Sequence, residues 1–162
     1  MNNTEQEQAF IALIRDNERI IYKVCSFYAS DKQPIADLYQ EVVLNLWRAF
    51  PSFKQQCAVS TWMYHIALNT CISDLRKASR RPKHEPIQAW ENYLPEPDSL
   101  AENIAEMYAL IRRLKTLERA IVLLYLEEKS NQEIADITGL TQSNVATKLT
   151  RIREKLKQMS NL

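Results

Sequence analysis

Gln142, Ser143 and Asn144, followed by Thr147, Lys148, Arg151 and Lys155, form a run that is rich in amides and hydroxyls at its start and cationic beyond. On a helix that order suits duplex DNA. Gln and Asn match the donor and acceptor pattern of adenine in the major groove, while Lys and Arg further along neutralise phosphates. A helical hairpin with a solvated basic face is the competing reading. A second set, Trp62, His65, Asn69, Ser73, Arg76 and Arg80, recurs every three or four residues. It lines one helix face with an aromatic ring, an amide and cations, which is what stacking on unpaired bases and holding a single strand require. Trp62 reads equally as a core side chain, and the cations from Arg76 to Arg81 as a solvated helix end. A third set, Asp37, Gln40, Glu41, Asn45 and Arg48 with Leu44 and Trp47 at its margin, mixes polar and acidic groups with large apolar ones and suits a protein interface.

The elements that must position these sets are legible from periodicity and caps. Ser130 and Glu133 form a capping-box pattern that starts a short helix, Gln132 to about Ile137, whose last turn meets Gly139. Glycine tolerates the positive φ needed to reverse the chain there. Thr141 caps the next helix, and Val145, Leu149, Ile152 and Leu156 give it an apolar stripe. The spacing of Ala135, Gly139 and Val145 is that of a helix-turn-helix: close crossing, tight turn, locking side chain. In the first half, Phe10, Leu13 and Ile14, then Ile20, Ile21, Val24, Phe27 and Tyr28, predict two helices with a break near Asp16 and Asn17. Pro34 opens a third in which Ile35, Leu38, Val42 and Leu46 face inward until Pro51 stops it. Ser60 as N-cap starts a fourth that runs to about Arg80, with Met63, Ile66, Ala67, Cys71 and Leu75 as the buried stripe.

Between these blocks fall four of the six prolines, Pro82, Pro86, Pro95 and Pro97, in a stretch with little apolar periodicity that reads as a linker. Trp90 and Tyr93 within it either pack back on a domain, the favoured reading, or meet a partner. The net charge of +1 conceals a segregated pattern. Residues 60–84 hold five basic residues and one acid, residues 85–108 six acids and no base, and residues 109–162 ten basic residues against six acids. Two basic segments therefore flank an acidic one.

A single glycine in 162 residues excludes whole classes of function. A P-loop, a dinucleotide-binding turn and a GxSxG nucleophile elbow each need two or more, and glycine-poor chains favour helices over hairpins. Cys25, Cys57 and Cys71 are odd in number with no CxxC pair, so they read as small buried hydrophobes. With only His65 and His84 beside them, no zinc site is expected. Glu127 and Glu128, the nearest carboxylate pair, read as a solvated helix end, so neither a metal nor a cofactor is expected and the chain is not read as an enzyme. The N-terminus lacks a signal-peptide pattern and no apolar run approaches ~20 residues, which predicts a cytoplasmic protein.

In order and spacing, three segments resemble the sigma-70 family of bacterial RNA polymerase sigma factors, specifically its extracytoplasmic-function group. DLYQEVVLNLWRAF (37–50) is similar to the segment that binds core polymerase, STWMYHIALNTCISDLRK (60–77) to the helix that reads the minus-ten element, and the helix-turn-helix to the domain that reads the minus-thirty-five element. The resemblance implies an all-α chain of two small domains: an N-terminal helical bundle, residues 1–81, and a C-terminal helix-turn-helix domain, residues 101–162, joined by a Pro-rich acidic linker, 82–100. It implies that Asp37, Gln40, Glu41, Leu44, Trp47 and Arg48 dock on the polymerase clamp helices. Trp62, His65, Asn69, Ser73, Arg76, Lys77, Arg80 and Arg81 would hold the melted minus-ten strand. Gln142, Ser143, Asn144, Thr147, Lys148, Arg151 and Lys155 would meet minus-thirty-five duplex. Core RNA polymerase, including its flap, promoter DNA and an anti-sigma factor that can hold the chain at the inner membrane are the implied partners. The alternative is a stand-alone helix-turn-helix regulator with an N-terminal dimerisation or sensing domain; a helical interaction module with no nucleic-acid role is the third. The chain departs from the family pattern in lacking a glycine in the loop Phe53–Val59, a Leu-Pro before the helix-turn-helix, where Glu118 follows Leu117, and a glycine at Lys129.

Overall fold

A computed structural model describes the backbone of residues 3–78 and 99–160, and the side chains of residues 3–73 and 106–160. The described backbone is helical with no strand, and the chain divides into two compact units between Ile87 and Gln88. Most of the expected linker, with Trp90 and Tyr93, lies outside the described residues. Among the described residues no helix is long and apolar enough to cross a membrane.

The first unit is built from α1 (Asn3–Tyr28), α2 (Ile35–Ala49) and α3 (Val59–Ala78), which pack pairwise against one another. The break expected near Asp16 and Asn17 is a kink inside α1 at Asn17, whose φ of −127° and ψ of 16° leave the helical region. The Asn17 side chain bonds the Leu13 carbonyl at 2.9 Å, a local alternative to the backbone ladder that Asn offers readily. Ile35, Leu38, Val42 and Leu46 of α2 are all buried, as their spacing predicts, against Ile21, Val24 and Tyr28 of α1 and Met63, Ala67 and Cys71 of α3. Pro34 sits at the α2 N-cap with ψ of 155°, and Pro51 lies in a 3₁₀ turn, Phe50–Ser52, that ends the helix. The start of α3 differs from expectation. The helix starts at Val59, so Ser60 lies in its first turn and is not the cap, and it is described to Ala78, the expected end near Arg80 lying outside the described residues. Ile66 is half-buried, because Tyr64, Leu68 and Thr70 widen the inward face on both sides of the expected stripe.

The second unit contains α4 (Ser99–Arg112), α5 (Thr116–Leu126), α6 (Asn131–Thr138) and α7 (Gln142–Ser160). Ile121, Leu123 and Leu124 of α5, Ile134 and Ile137 of α6, and Val145, Leu149 and Ile152 of α7 form its core. Leu156 is half-buried and closes the stripe near the end of α7.

Among the described residues three hold positive φ: Gly139 at 81°, Gln55 at 55° and Glu128 at 62°. The last two are exposed side-chain-bearing residues that hold the left-handed conformation at a cost of about 1–2 kcal/mol each. A Cβ at Gly139 meets nothing within 4 Å, so only backbone conformation opposes a substitution there. Gly139→Ala is expected to lower the unfolding free energy by about 1 kcal/mol, and Glu128→Gly to raise it by roughly 0.5–1 kcal/mol. Urea unfolding of the full chain followed by circular dichroism checks both signs.

Candidate functional site

The helix-turn-helix forms from interactions that reach no more than four residues along the chain. Ser130 Oγ accepts from the Glu133 N–H at 3.1 Å while Glu133 Oε1 accepts from the Ser130 N–H at 3.2 Å, closing the capping box. The same Ser130 backbone N–H holds the Glu133 carboxyl below its ordinary range. Gly139 ends α6 in the left-handed conformation, its N–H bonded to the Ala135 carbonyl at 2.9 Å. Thr141 Oγ1 then accepts from the Asn144 N–H at 3.1 Å and starts α7. Val145 is fully buried beneath this turn, so the residues beside it face outward: Gln142, Ser143, Asn144, Thr147 and Arg151 are all exposed and Lys148 is half-exposed. The amide and hydroxyl end of α7 is thus free of the core, where a groove-reading helix needs it.

Lys155 has a partner within the fold. Its ammonium bonds Glu118 Oε1 at 3.2 Å, and that carboxylate also accepts from the Lys115 N–H at 3.0 Å. Partial burial opposes ionisation of Glu118, but the Lys115 N–H and the Lys155 ammonium outweigh it and hold the carboxyl below its ordinary value of 4.5. Arg153 lies over the Tyr125 ring at 4.8 Å. Both cations therefore tie α7 to α5.

In the first unit, His65, Asn69 and Ser73 are exposed along one face of α3, with Asn69 Nδ2 at 3.3 Å from His65 Nε2. Trp62 is half-buried. Phe53 stacks on its indole at 4.4 Å between centroids, and Phe50 approaches at 6.5 Å. The packing role thus occupies a face of the ring, and the loop before α3 is fastened to it. The seam continues inward: Trp47 lies 6.5 Å from Phe50, and Phe10 lies 5.0 Å from Trp47. At its far end Phe10 and Trp47 join Glu7, Ile11, Tyr39, Gln40, Val43 and Leu44 around a groove of about 630 Å³ between α1 and α2. Ile11 is 50% and Leu44 40% exposed, so apolar surface lies open beside the exposed Gln40 and Glu41. Burial and the nearby Glu18 carboxylate push the Tyr39 phenol above its ordinary 10.0.

The chain matches the model of sigma-70 region 2 over residues 13–81 and that of sigma-70 region 4 over residues 104–156. The chain belongs to the sigma-70 family, in its extracytoplasmic-function group. Among its relatives, the ECF RNA polymerase sigma-E factor of Haemophilus influenzae is 30% identical over 164 residues, 93% of this chain and 86% of the relative. The ECF sigma factor SigM of Mycobacterium tuberculosis is 27% identical over 154 residues, 93% of this chain and 76% of that one. Two solved structures share the fold. CnrH in complex with the cytosolic domain of CnrY gives a TM-score of 0.67 at 19% identity, covering 96% of this chain and 89% of that one. The sigma factor RpoE with the anti-sigma factor NepR from Bartonella quintana gives 0.69 at 18%, covering 91% and 96%. The chain is accordingly a transcription initiation factor that directs RNA polymerase to promoters.

For this sigma factor the structure gathers most of the predicted residues onto three surfaces. Asp37, Gln40, Glu41 and Arg48 are exposed on α2 with Leu44, while Trp47 is half-buried at the groove. Arg76 and Lys77 fall in the last turns of α3 with side chains outside the description, and Arg80 and Arg81 lie outside the described residues. Cys25 and Cys71 are buried as expected, but Cys57 is exposed, in the segment between the 3₁₀ turn and α3. Sequence reasoning missed Ile11 and Phe53. Ile11 follows the core residue Phe10 and carries no signal of its own, whereas Phe53 sits nine residues before Trp62 in a loop with no periodicity.

Glu118 ionises more readily folded than unfolded, so its contribution to stability is full above the unfolded pKa and disappears as pH falls through the lower folded value. The protection factors of α5 and α7 amides in the full chain, each rate taken relative to the intrinsic rate at the same pH, are expected to fall as pH drops below about 4.5, the ordinary value of this carboxyl. In Glu118→Gln that component of the acid destabilisation is absent.

Proposed function

We propose that this sigma factor works through three separate surfaces and performs no bond chemistry of its own. The rim formed by Asp37, Gln40, Glu41, Leu44, Trp47 and Arg48 docks on the clamp helices of core RNA polymerase. The α3 face of His65, Asn69 and Ser73, bordered by Trp62 and continued by Arg76, Lys77, Arg80 and Arg81, holds the melted minus-ten strand. The exposed start of α7 reads the minus-thirty-five duplex through Gln142, Ser143, Asn144 and Thr147, with Lys148 and Arg151 on phosphates. Lys155 serves the fold through Glu118. In this reading residues 1–81 and 101–162 are the two working domains and residues 82–100 connect them, the second meeting the polymerase flap. The chain acts in the cytoplasm, where an anti-sigma factor covers its polymerase-binding surfaces.

The observation that carries this reading is the presence of two dissimilar polar faces on two separate units. A face of amide and imidazole suits unpaired bases, and a helix-turn-helix suits a duplex groove. Capturing a flipped base costs a few kcal/mol in unstacking, which favours a strand-holding surface that acts together with polymerase. A stand-alone regulator would instead place all its affinity in duplex contacts and read a two-fold-symmetric operator.

Titration of the purified chain into core RNA polymerase from the matching bacterium tests the docking surface. Saturable binding is expected, with Gln40→Ala, Glu41→Ala weakened tenfold or more, about 1.4 kcal/mol. Absence of binding by folded wild type would move the assignment to the stand-alone regulator. For the duplex face, the two classes of contact differ in kind. Asn144→Ala is expected to relax preference at one promoter position by about 1–3 kcal/mol, whereas Arg151→Ala weakens all sequences alike and reduces the salt slope by about one. Holoenzyme binding to a promoter library at two salt concentrations separates them.

A further inference from the structure

The core of the first unit is apolar, and Thr70 is the fully helical exception. It is 4% exposed, in the middle of α3, and its hydroxyl is one of very few polar side-chain groups buried among the described residues. The hydroxyl is used twice. It donates to the Ile66 carbonyl at 2.7 Å, within its own helix, and accepts from Asn45 Nδ2 of α2 at 2.9 Å. Asn45 Oδ1 in turn accepts from Arg48 Nη1 at 3.4 Å. A polar path therefore runs from the exposed rim of α2, through the helix interface, to the backbone of α3.

Its endpoint is informative. Ile66 and Thr70 directly follow His65 and Asn69, the pair 3.3 Å apart on the proposed strand-reading face. Apolar contacts between helices repack after a small axial shift at the cost of some lost dispersion, with no polar group left unsatisfied. A directional hydrogen bond to a buried hydroxyl does not, since a shift leaves a donor or acceptor unsatisfied away from water. The Asn45–Thr70 bond thus defines the axial register of α3 against α2, the helix that carries the polymerase-docking rim.

We propose that Thr70 and Asn45 are positioning residues that hold the strand-reading turn of α3 in register with the docking helix, so that their loss impairs capture of the melted strand, while loss of the Thr70 hydroxyl leaves polymerase affinity intact. This inference rests on the three-surface reading given above. Neither residue touches nucleic acid in it. Thr70 faces inward, and Asn69, its neighbour, faces out.

The test uses holoenzyme reconstituted from core RNA polymerase and the full-length chain, with a forked DNA selected by wild-type holoenzyme from a pool randomised in its single-stranded arm. Thr70→Val keeps the volume of the side chain and removes the hydroxyl; Thr70→Ser keeps the hydroxyl. Thr70→Val is expected to bind core within twofold of wild type and to lose fivefold or more in affinity for the forked DNA, with Thr70→Ser restoring it to within twofold. Asn45→Ala should lose a similar factor, and the double variant no more than either single one, because both remove the same bond. Loss of less than twofold by Thr70→Val overturns the proposal, as does a loss that Thr70→Ser fails to restore or that core affinity shares in full. Failure of wild type itself to bind core or select any fork would instead overturn the three-surface reading, and the positioning role with it.

Discussion

A seam of aromatic rings is the contact on which the first unit depends. Phe10 of α1, Trp47 of α2, Phe50 of the 3₁₀ turn, Trp62 of α3 and Phe53 of the preceding loop follow one another at centroid separations of 4.4–6.5 Å. Each such pair contributes about 0.5–1.5 kcal/mol beyond the burial of its area. The seam fastens three helices and, through Phe53, the segment that precedes α3. It also begins at the groove flanked by Ile11 and Leu44 and ends beside the face of His65 and Asn69. The two surfaces assigned to polymerase and to the melted strand are therefore built on one rigid strip, and the Asn45–Thr70 bond lies alongside it.

The second unit solves a different problem. A recognition helix must expose its first turn yet remain anchored, and α7 does so by burying Val145, Leu149 and Ile152 while local caps hold its start. Anchoring at the other end comes from charge. Lys155 to Glu118 and Arg153 to Tyr125 bind the later turns of α7 to α5, which leaves Lys148 and Arg151 as the cations on the outward side nearest the reading end. Cations on one helix thus differ in whether α5 supplies them a partner, and their position relative to α5 decides which.

Backbone strain is distributed in the same economical way. One glycine occupies the turn of the helix-turn-helix, where the chain reverses between two packed helices. At Gln55 and Glu128 the same left-handed conformation is borne by side-chain-carrying residues at the surface, where the cost is conformational and no packing conflict adds to it.

Much of this architecture was legible along the chain. The kink at Asn17, the inward residues of α2, the capping box at Ser130 and Glu133, the turn at Gly139 and the cap at Thr141 all rest on interactions within about four residues, so their residue types and spacing determine them. The same logic placed Gln142 to Asn144 on an exposed first turn, since the apolar stripe that begins at Val145 leaves them no other side. What the tertiary structure alone decided involves partners distant in sequence. Lys155 reaches Glu118 across 37 residues and Asn45 reaches Thr70 across 25. Phe53 covers a face of Trp62 that the helical pattern leaves equally open to a base, and Ile11 joins Leu44 at a groove that neither helix forms alone. Periodicity shows which face of a helix turns inward; which neighbour meets it, and what that neighbour takes out of service or leaves exposed, is set only when the helices pack.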